Sequence, residues 1–344
     1  MSTIRLRPVR ESWGHYLWRF VVEAIALTVA WLAAASAAAG QQPRFNTLSP
    51  GPQAGRGGQP AQLPNFQQLN PDKFFEQLFG AGGGELNDDA RLAKVEFSWD
   101  EEQRLGQQTF DDFKQRLLAQ KDTLVERGRE VEYLQKLAGV IRPQMQQAAR
   151  YWQLKVFVAS WKKPEAMVSP GGKLIVTQGM LDACSSEAAL VGVLGHELSH
   201  LDRGHLLRRM KQWKLAQQQF SQPAAGFSPD KLVGTMSTMQ QLFRRPFGPS
   251  EELDADTDGI TWTYSAGYDP QALTEVYAAF EKHGLNQPDF LPAFLRTHPP
   301  SAERRENLRA TLEKLQAAKP EARLYLGREN LTRRLTRQQR EFAE

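Results

Sequence analysis

The sequence predicts a mainly α, α+β domain: helical, with one small β-sheet. Three observations lead there. Apolar residues recur at helical spacing through most of 95–318, period-2 alternation is confined to two short segments at 154–158 and 173–178, and a Pro170-Gly171-Gly172 turn precedes the second of these. The chain has 344 residues, of which 41% are hydrophobic, enough to bury a sizeable core.

Taken in order, Ser98 with Glu101 forms a capping box opening a helix to about residue 121, with Leu105, Phe110, Phe113 and Leu117 as its apolar stripe. A second helix is expected over 130–151, carrying Val131, Leu134, Leu137, Ala138 and Ile141, with a kink at Pro143. Leu154, Val156 and Val158 alternate with their neighbours as a first strand. Residues 173–178, bracketed by glycines, form a second strand whose edge could take an extended peptide by β-augmentation. Everything after Ser185 reads as helix, with loops at 221–250 and 284–300. Residues 319–344 form an Arg-rich helical tail.

Ahead of this domain, residues 1–39 read as an export segment. A basic start precedes an apolar run at 24–39 ending in Ala37-Ala38-Ala39, a small-residue cleavage pattern. Arg19 and Glu23 leave that run shorter than the roughly 20 residues of a spanning helix, which favours cleavage over the alternative, an uncleaved tether through 16–39. Either fate puts the protein in the periplasm or cell envelope. Residues 40–94 are Gln/Pro/Gly-rich and read as a linker, with a short apolar island at Phe74, Phe75, Leu78 and Phe79.

Composition excludes several classes. One cysteine, Cys184, rules out a disulfide framework, a Cys-built metal site and a lipid anchor near the N-terminus. A mean hydropathy of −0.52 argues against a polytopic membrane protein. The net charge is only +4. Arg323, Arg328, Arg333, Arg334, Arg337 and Arg340 belong to no known nucleic-acid module, so they read as a solvated helix face and no nucleic-acid partner is expected.

The chemistry sits in His196-Glu197-Leu198-Ser199-His200. On a helix, His196 and His200 are one turn apart on one face and can share a metal ion. Glu197 lies where its carboxylate reaches a water at the metal rather than the metal itself. Chance supplies fewer than about 0.01 such matches in a chain with 6 His and 24 Glu. A catalytic zinc site needs a third protein ligand. Position 206 is Leu, which excludes the longer three-His spacing, and His205 falls off the ligand face, next to the ligands or at the surface. A carboxylate from a later helix remains. Glu252 and Asp256 are again i and i+4, so Glu252 could ligate while Asp256 orients a histidine by accepting its second N–H.

Four blocks in order resemble the zinc metallopeptidases that include the HtpX heat-shock protease and the CAAX prenyl protease, above all their soluble exported bacterial relatives. They are Pro170–Gly179 with its Gly-Gly turn, His196–His200, Glu252-Leu253-Asp254-Ala255-Asp256 followed by Ala266-Gly267-Tyr268-Asp269-Pro270, and Thr297-His298-Pro299-Pro300 followed by Glu303-Arg304. The resemblance covers roughly 95–315. It implies a zincin-like (gluzincin) fold and one Zn²⁺ on His196, His200 and Glu252. It also implies Glu197 as general base, His298 on a loop approaching the metal, and Asp256, His205 and Arg304 around the ligands. His298 would then be an oxyanion donor or a fourth, latent zinc ligand, with Tyr264 and Tyr268 as weaker donor candidates. One departure is visible: relatives carry Asn-Ala-Phe where this chain has Glu165-Ala166-Met167.

The implied function is zinc-dependent endopeptidase activity on unfolded or membrane-associated proteins, in cell-envelope protein quality control. The competing class is a catalytically idle zinc-binding scaffold, against which the intact Glu197 argues. Residues 203–250 carry eight Lys/Arg against Asp230 alone, with several aromatic and Met residues. They read equally as a lid over the cleft or as an ordinary helical pair.

Overall fold

The computed structural model describes residues 88–220, 245–286, 293–319 and 323–344. The export segment, nearly all of the linker with its apolar island, and the 221–244 part of the segment read equally as a lid or a helical pair lie outside the described residues. No described helix is long and apolar enough to cross a membrane.

The linker reading runs too far by one helix. Helix α1 (Asp89–Lys94) is capped by Asp88, whose carboxylate accepts from Ala90 N, and it buries Leu92. One buried side chain is too small a signal to read from composition. Helix α2 (Trp99–Ala119) begins with the expected capping box: Ser98 Oγ accepts from Glu101 N, and Glu101 Oε2 from Ser98 N. Its middle lies so close to the Gly-Gly turn that a methyl group on Gly106 would overlap the Pro170 carbonyl. Gly106→Ala should therefore destabilise the protein by about 1–3 kcal/mol, read as a lower urea midpoint at unchanged slope. An unchanged midpoint would show that the two elements separate without cost.

After β1 (Leu124–Val125), helix α3 (Arg129–Ile141) stops ten residues before the expected end, and a 3₁₀ turn follows at Arg142–Gln144. Pro143 supplies no N–H, and the amides of Gln146 and Gln147 donate instead to the Asp202 carboxylate, at 2.9 and 2.6 Å. A distant side chain thus takes the donors that a continuing helix would have used.

The sheet has four strands rather than two, in the order β1-β2-β4-β3, with β2 Lys155–Ala159, β3 Ala166–Ser169 and β4 Lys173–Thr177. β2 and β4 are parallel, and the two outer pairings are antiparallel. β3 and β4 are joined through Gly171 and Gly172, both at positive φ, which glycine adopts at little cost. β4 is paired on both sides and fully buried, so the edge strand beside the helices is β3, not the 173–178 segment proposed from sequence. Ala-Met-Val-Ser is too short to display an alternation.

Short helix α4 (Gln178–Ala183) leads to α5 (Glu187–Asp202), every residue of which is buried. A helix apolar all round belongs at the centre of a domain. Its first amides are satisfied from three directions: Ser186 Oγ accepts from Ala189 N, Gly327 O from Glu187 N, and Leu326 O from Ala188 N. The Glu187 carboxylate, also buried, accepts from Tyr133 OH, Tyr268 OH and Arg337 N at 2.8, 2.6 and 2.8 Å. The 323–344 segment is thus anchored on the core, with Tyr325 and Leu331 inside it. It is α-helical only over α11 (Arg328–Arg333); beyond that helix Arg337 lies 4.7 Å over the Tyr325 ring and 2.8 Å from Glu341.

The remaining helices are α6 (His205–Phe220), α7 (Pro249–Ser265), α8 (Gln271–Asn286), α9 (Ala293–Thr297) and α10 (Ala302–Ala318). α9 falls inside the segment expected to be a loop. α7 packs against α5 with Gly259 facing Gly195, where a Cβ would stand 3.2 Å from the opposing Cα. The two backbones approach as closely as two glycines allow, and this brings the start of α7 against the second half of α5.

Candidate metal centre

His196 and His200 project from α5, both fully buried, with their Nε2 atoms 3.2 Å apart. Helix α7 opens with Pro249 in its first turn, and Glu251 turns back to accept from Gly248 N at 2.8 Å. That capping role leaves Glu252 to face inward. Its Oε2 lies 3.7 Å from His196 Nε2, and its Oε1 lies 3.7 Å from His200 Nε2. His298 follows α9, its amide donating to Phe294 O. Its Nδ1 stands 2.9 Å from Glu252 Oε1 and 3.1 Å from His196 Nε2, while its Nε2 is 3.2 Å from Glu197 Oε1.

One ligand atom from each of His196, His200, Glu252 and His298 falls within 4.8 Å of the other three. Ligands about 2.0–2.1 Å from a tetrahedral ion are roughly 3.3 Å from one another. The 3.2, 3.7 and 3.7 Å separations of His196, His200 and Glu252 are close to that figure, so these residues fit a small divalent cation such as zinc.

A second set of residues braces these side chains. Asp256 Oδ1 lies 3.1 Å from His196 Nδ1. Arg304 donates to both oxygens of Asp256 at 2.7 Å, to Pro299 O at 3.1 Å, and stands 2.8 Å from Glu252 Oε2. His205 Nδ1 is 2.9 Å from His200 Nδ1. The surface alternative for His205 does not hold, because α5 ends at Asp202 and the turn through Gly204, at φ +75°, starts a new helix that brings His205 back.

Two tyrosines weighed as donors lie elsewhere. Tyr268 is bound to Glu187, and Tyr264 is twelve residues along α7 from Glu252, about 18 Å at helical rise. Three aromatics that the sequence did not flag do surround the cluster. Phe247 stacks on His200 at 3.7 Å with Arg209 over its other side, Phe294 stacks on His298 at 4.4 Å, and Tyr277 sets its ring edge-on to His196 at 6.1 Å. They reach the site through tertiary packing and leave no local signature.

Electrostatics separates these groups. Burial, reinforced by the neighbouring imidazoles, pushes His200 well below its ordinary value and keeps it neutral, the form a metal ligand needs. Burial opposes the charged forms of Glu252 and Asp256, yet His298 and His196 hold the first below the usual carboxylate range, and Arg304 and His196 the second. Burial likewise opposes protonation of His298, but Glu252 and Glu197 outweigh it and raise the ring to about 9.

His205 is pushed down to about 4, by burial and then by Arg203 and Arg209. An unfolded imidazole titrates near 6.5, so acid favours the unfolded chain. The contribution of His205 is complete above pH 6.5 and falls by about 3 kcal/mol as pH drops to 4. Urea midpoints measured from pH 7.5 to 4.5 should show this slope, and His205→Gln should flatten it; an equal slope in the variant would assign it to other groups.

The model of peptidase family M48 matches residues 129–312, more than half of the chain, from α3 into α10 with the whole cluster inside. The mitochondrial metalloendopeptidase OMA1 of Arabidopsis thaliana is 33% identical over 170 residues, 48% of this chain and 32% of that protein. The beta-barrel assembly-enhancing protease of Escherichia coli K12 is 27% identical over 144 residues, 38% of this chain and 28% of its own length. Metalloprotease LoiP of the same organism is 26% identical over 161 residues, 45% of this chain and 60% of its own. The matches thus span less than two thirds of these relatives. With a match over more than half its length, centred on the helices that carry the buried His-His-Glu-His cluster, the chain belongs to peptidase family M48.

Proposed function

We propose that this chain is a zinc-dependent endopeptidase. The observation that carries the reading is the position of Glu197: a buried carboxylate beside the cluster, on the same helix as two of its histidines, yet outside the ligand set. When bound, zinc supplies Lewis acidity to the scissile carbonyl and lowers the pKa of a water toward about 7. Glu197 takes the proton from that water and hands it to the leaving amine. His196, His200 and Glu252 hold the ion, Asp256 orients His196, and Arg304 fixes Asp256 and Glu252. His298, 3.2 Å from Glu197 Oε1 and 2.9 Å from Glu252 Oε1, would serve as the donor to the developing oxyanion or, in the alternative, as a fourth, latent ligand.

The competing reading, an idle zinc scaffold, draws on one observation: four protein donors, each at most 2% exposed, resemble a closed structural site. Zinc-loaded protein incubated with casein separates the two. Cleavage that a chelator abolishes and zinc restores supports the peptidase; stoichiometric zinc with no cleavage supports the scaffold. The substrates in this reading are unfolded or membrane-associated proteins met during quality control in the cell envelope, reached through export by residues 1–39. The mass of the mature protein decides whether that segment is removed or remains as a tether through 16–39.

A further inference from the structure

A cleft of about 450 Å³ opens between α8, α9 and α10. Most of its lining surface is apolar, with Phe294, Leu295, Leu308 and Leu312 contributing, and polar side chains that include His298 and Arg304 line the rest. The cleft and the metal cluster therefore share side chains. Phe294 lines the cleft and stacks on His298 at 4.4 Å, and Tyr277 lines it while its ring meets His196 edge-on.

The charges around the cleft are already spoken for. Arg305 pairs with Glu281 at 3.1 Å, Arg309 with Glu313 at 2.6 Å, and Arg304 is committed to Asp256 and Glu252. A charged occupant would lose its hydration and find no free counter-charge. An apolar one would gain by burial, at about 25 cal/mol per Å² of surface removed from water. The volume lies within the roughly 300–1,000 Å³ of ligand-sized pockets, so the largest natural side chains fit. One polar atom there lacks a partner: the Tyr277 hydroxyl is buried and makes no hydrogen bond.

We propose that this cleft is a specificity pocket for a large apolar substrate side chain, aromatic or long aliphatic, next to the hydrolysed bond, and that Ala278 and Leu312 on its opposing walls set its size. The inference rests on the endopeptidase reading. Ala278 is exposed on α8, where a larger side chain can enter the cleft without disturbing the core, and Leu312 stands on α10.

The test is a set of peptides varied on both sides of the cleavable bond, given to the zinc-loaded wild type, Ala278→Trp and Leu312→Trp. Wild type should prefer Phe, Leu or Met over Ala at one flanking position by at least tenfold in kcat/KM, the scale expected for a few buried methylenes. Each tryptophan should reduce that preference at least tenfold, read as the ratio of kcat/KM for the Phe, Leu or Met peptide to that for the Ala peptide within the same variant. Cleavage without an apolar preference, or a preference that survives both tryptophans, overturns the pocket and leaves the endopeptidase reading intact. No cleavage of any peptide by the wild type overturns both. Melting curves report whether the variants fold. If neither does, competition on the wild type reads the same property: N-acetyl-phenylalaninamide should inhibit at least tenfold better than N-acetyl-alaninamide, and equal inhibition overturns the pocket.

Discussion

Glu197→Gln should lower peptide hydrolysis by roughly 10²–10⁴ while leaving zinc stoichiometry and melting temperature close to wild type. The amide keeps the size and most of the hydrogen-bonding reach of the carboxylate, so α5 keeps its packing. It cannot accept the proton, so the general base is lost. The carboxylate is 2% exposed and lies 3.2 Å from His298 Nε2, so an amide there also weakens the hold on that imidazole without removing any of His196, His200 and Glu252. Zinc content, thermal melting and casein hydrolysis measured on one preparation separate the roles. Wild-type hydrolysis in Glu197→Gln would end the peptidase assignment of this residue.

The second large effect is expected at His196. His196→Ala removes a ligand, abandons Asp256 and leaves a hole beside Phe294 and Tyr277. Zinc content should fall well below one per chain, and stability should drop by several kcal/mol. Metal linkage alone accounts for about 2.7 kcal/mol when free zinc is at a hundred times its dissociation constant. A chelator added to the wild type should reproduce that metal part of the loss and no more, because the packing around the imidazole is still there. A variant that retains stoichiometric zinc at wild-type affinity would mean that Glu252, His200 and His298 suffice, and that His196 has been misassigned.

What could be read from the sequence was what local chemistry encodes. The capping box at Ser98 and Glu101 and the turn-spaced pairs His196/His200 and Glu252/Asp256 need only a few adjacent residues, and each is found where the pattern put it. What could not be read depends on partners far along the chain. The end of α3 is decided by Asp202, some sixty residues away. Strands β1 and β3 are too short to show a period and exist because β2 and β4 offer them edges. The spacing to Asp256 singles out Glu252 in the sequence, but what turns Glu251 away, its folding back onto Gly248 N, has no signal there. Phe247 and Tyr277 sat in stretches with no metal-site pattern, and the path of the backbone alone carries them to the cluster.

The docking of residues 326 and 327 on the first amides of α5 sets a timetable for biogenesis. Translation runs from the N-terminus, so His196, His200, Glu252 and His298 all emerge before the carbonyls that close the start of the helix bearing two of them. Until Leu326 and Gly327 arrive, the amides of Glu187 and Ala188 lack those partners and face water instead. The Glu187 carboxylate likewise waits for Arg337. The helix that bears His196 and His200 is thus closed at its start only once the 325–337 segment is in place. Removing that segment is expected to loosen the start of α5, read as a lower melting temperature, without touching any residue of the cluster.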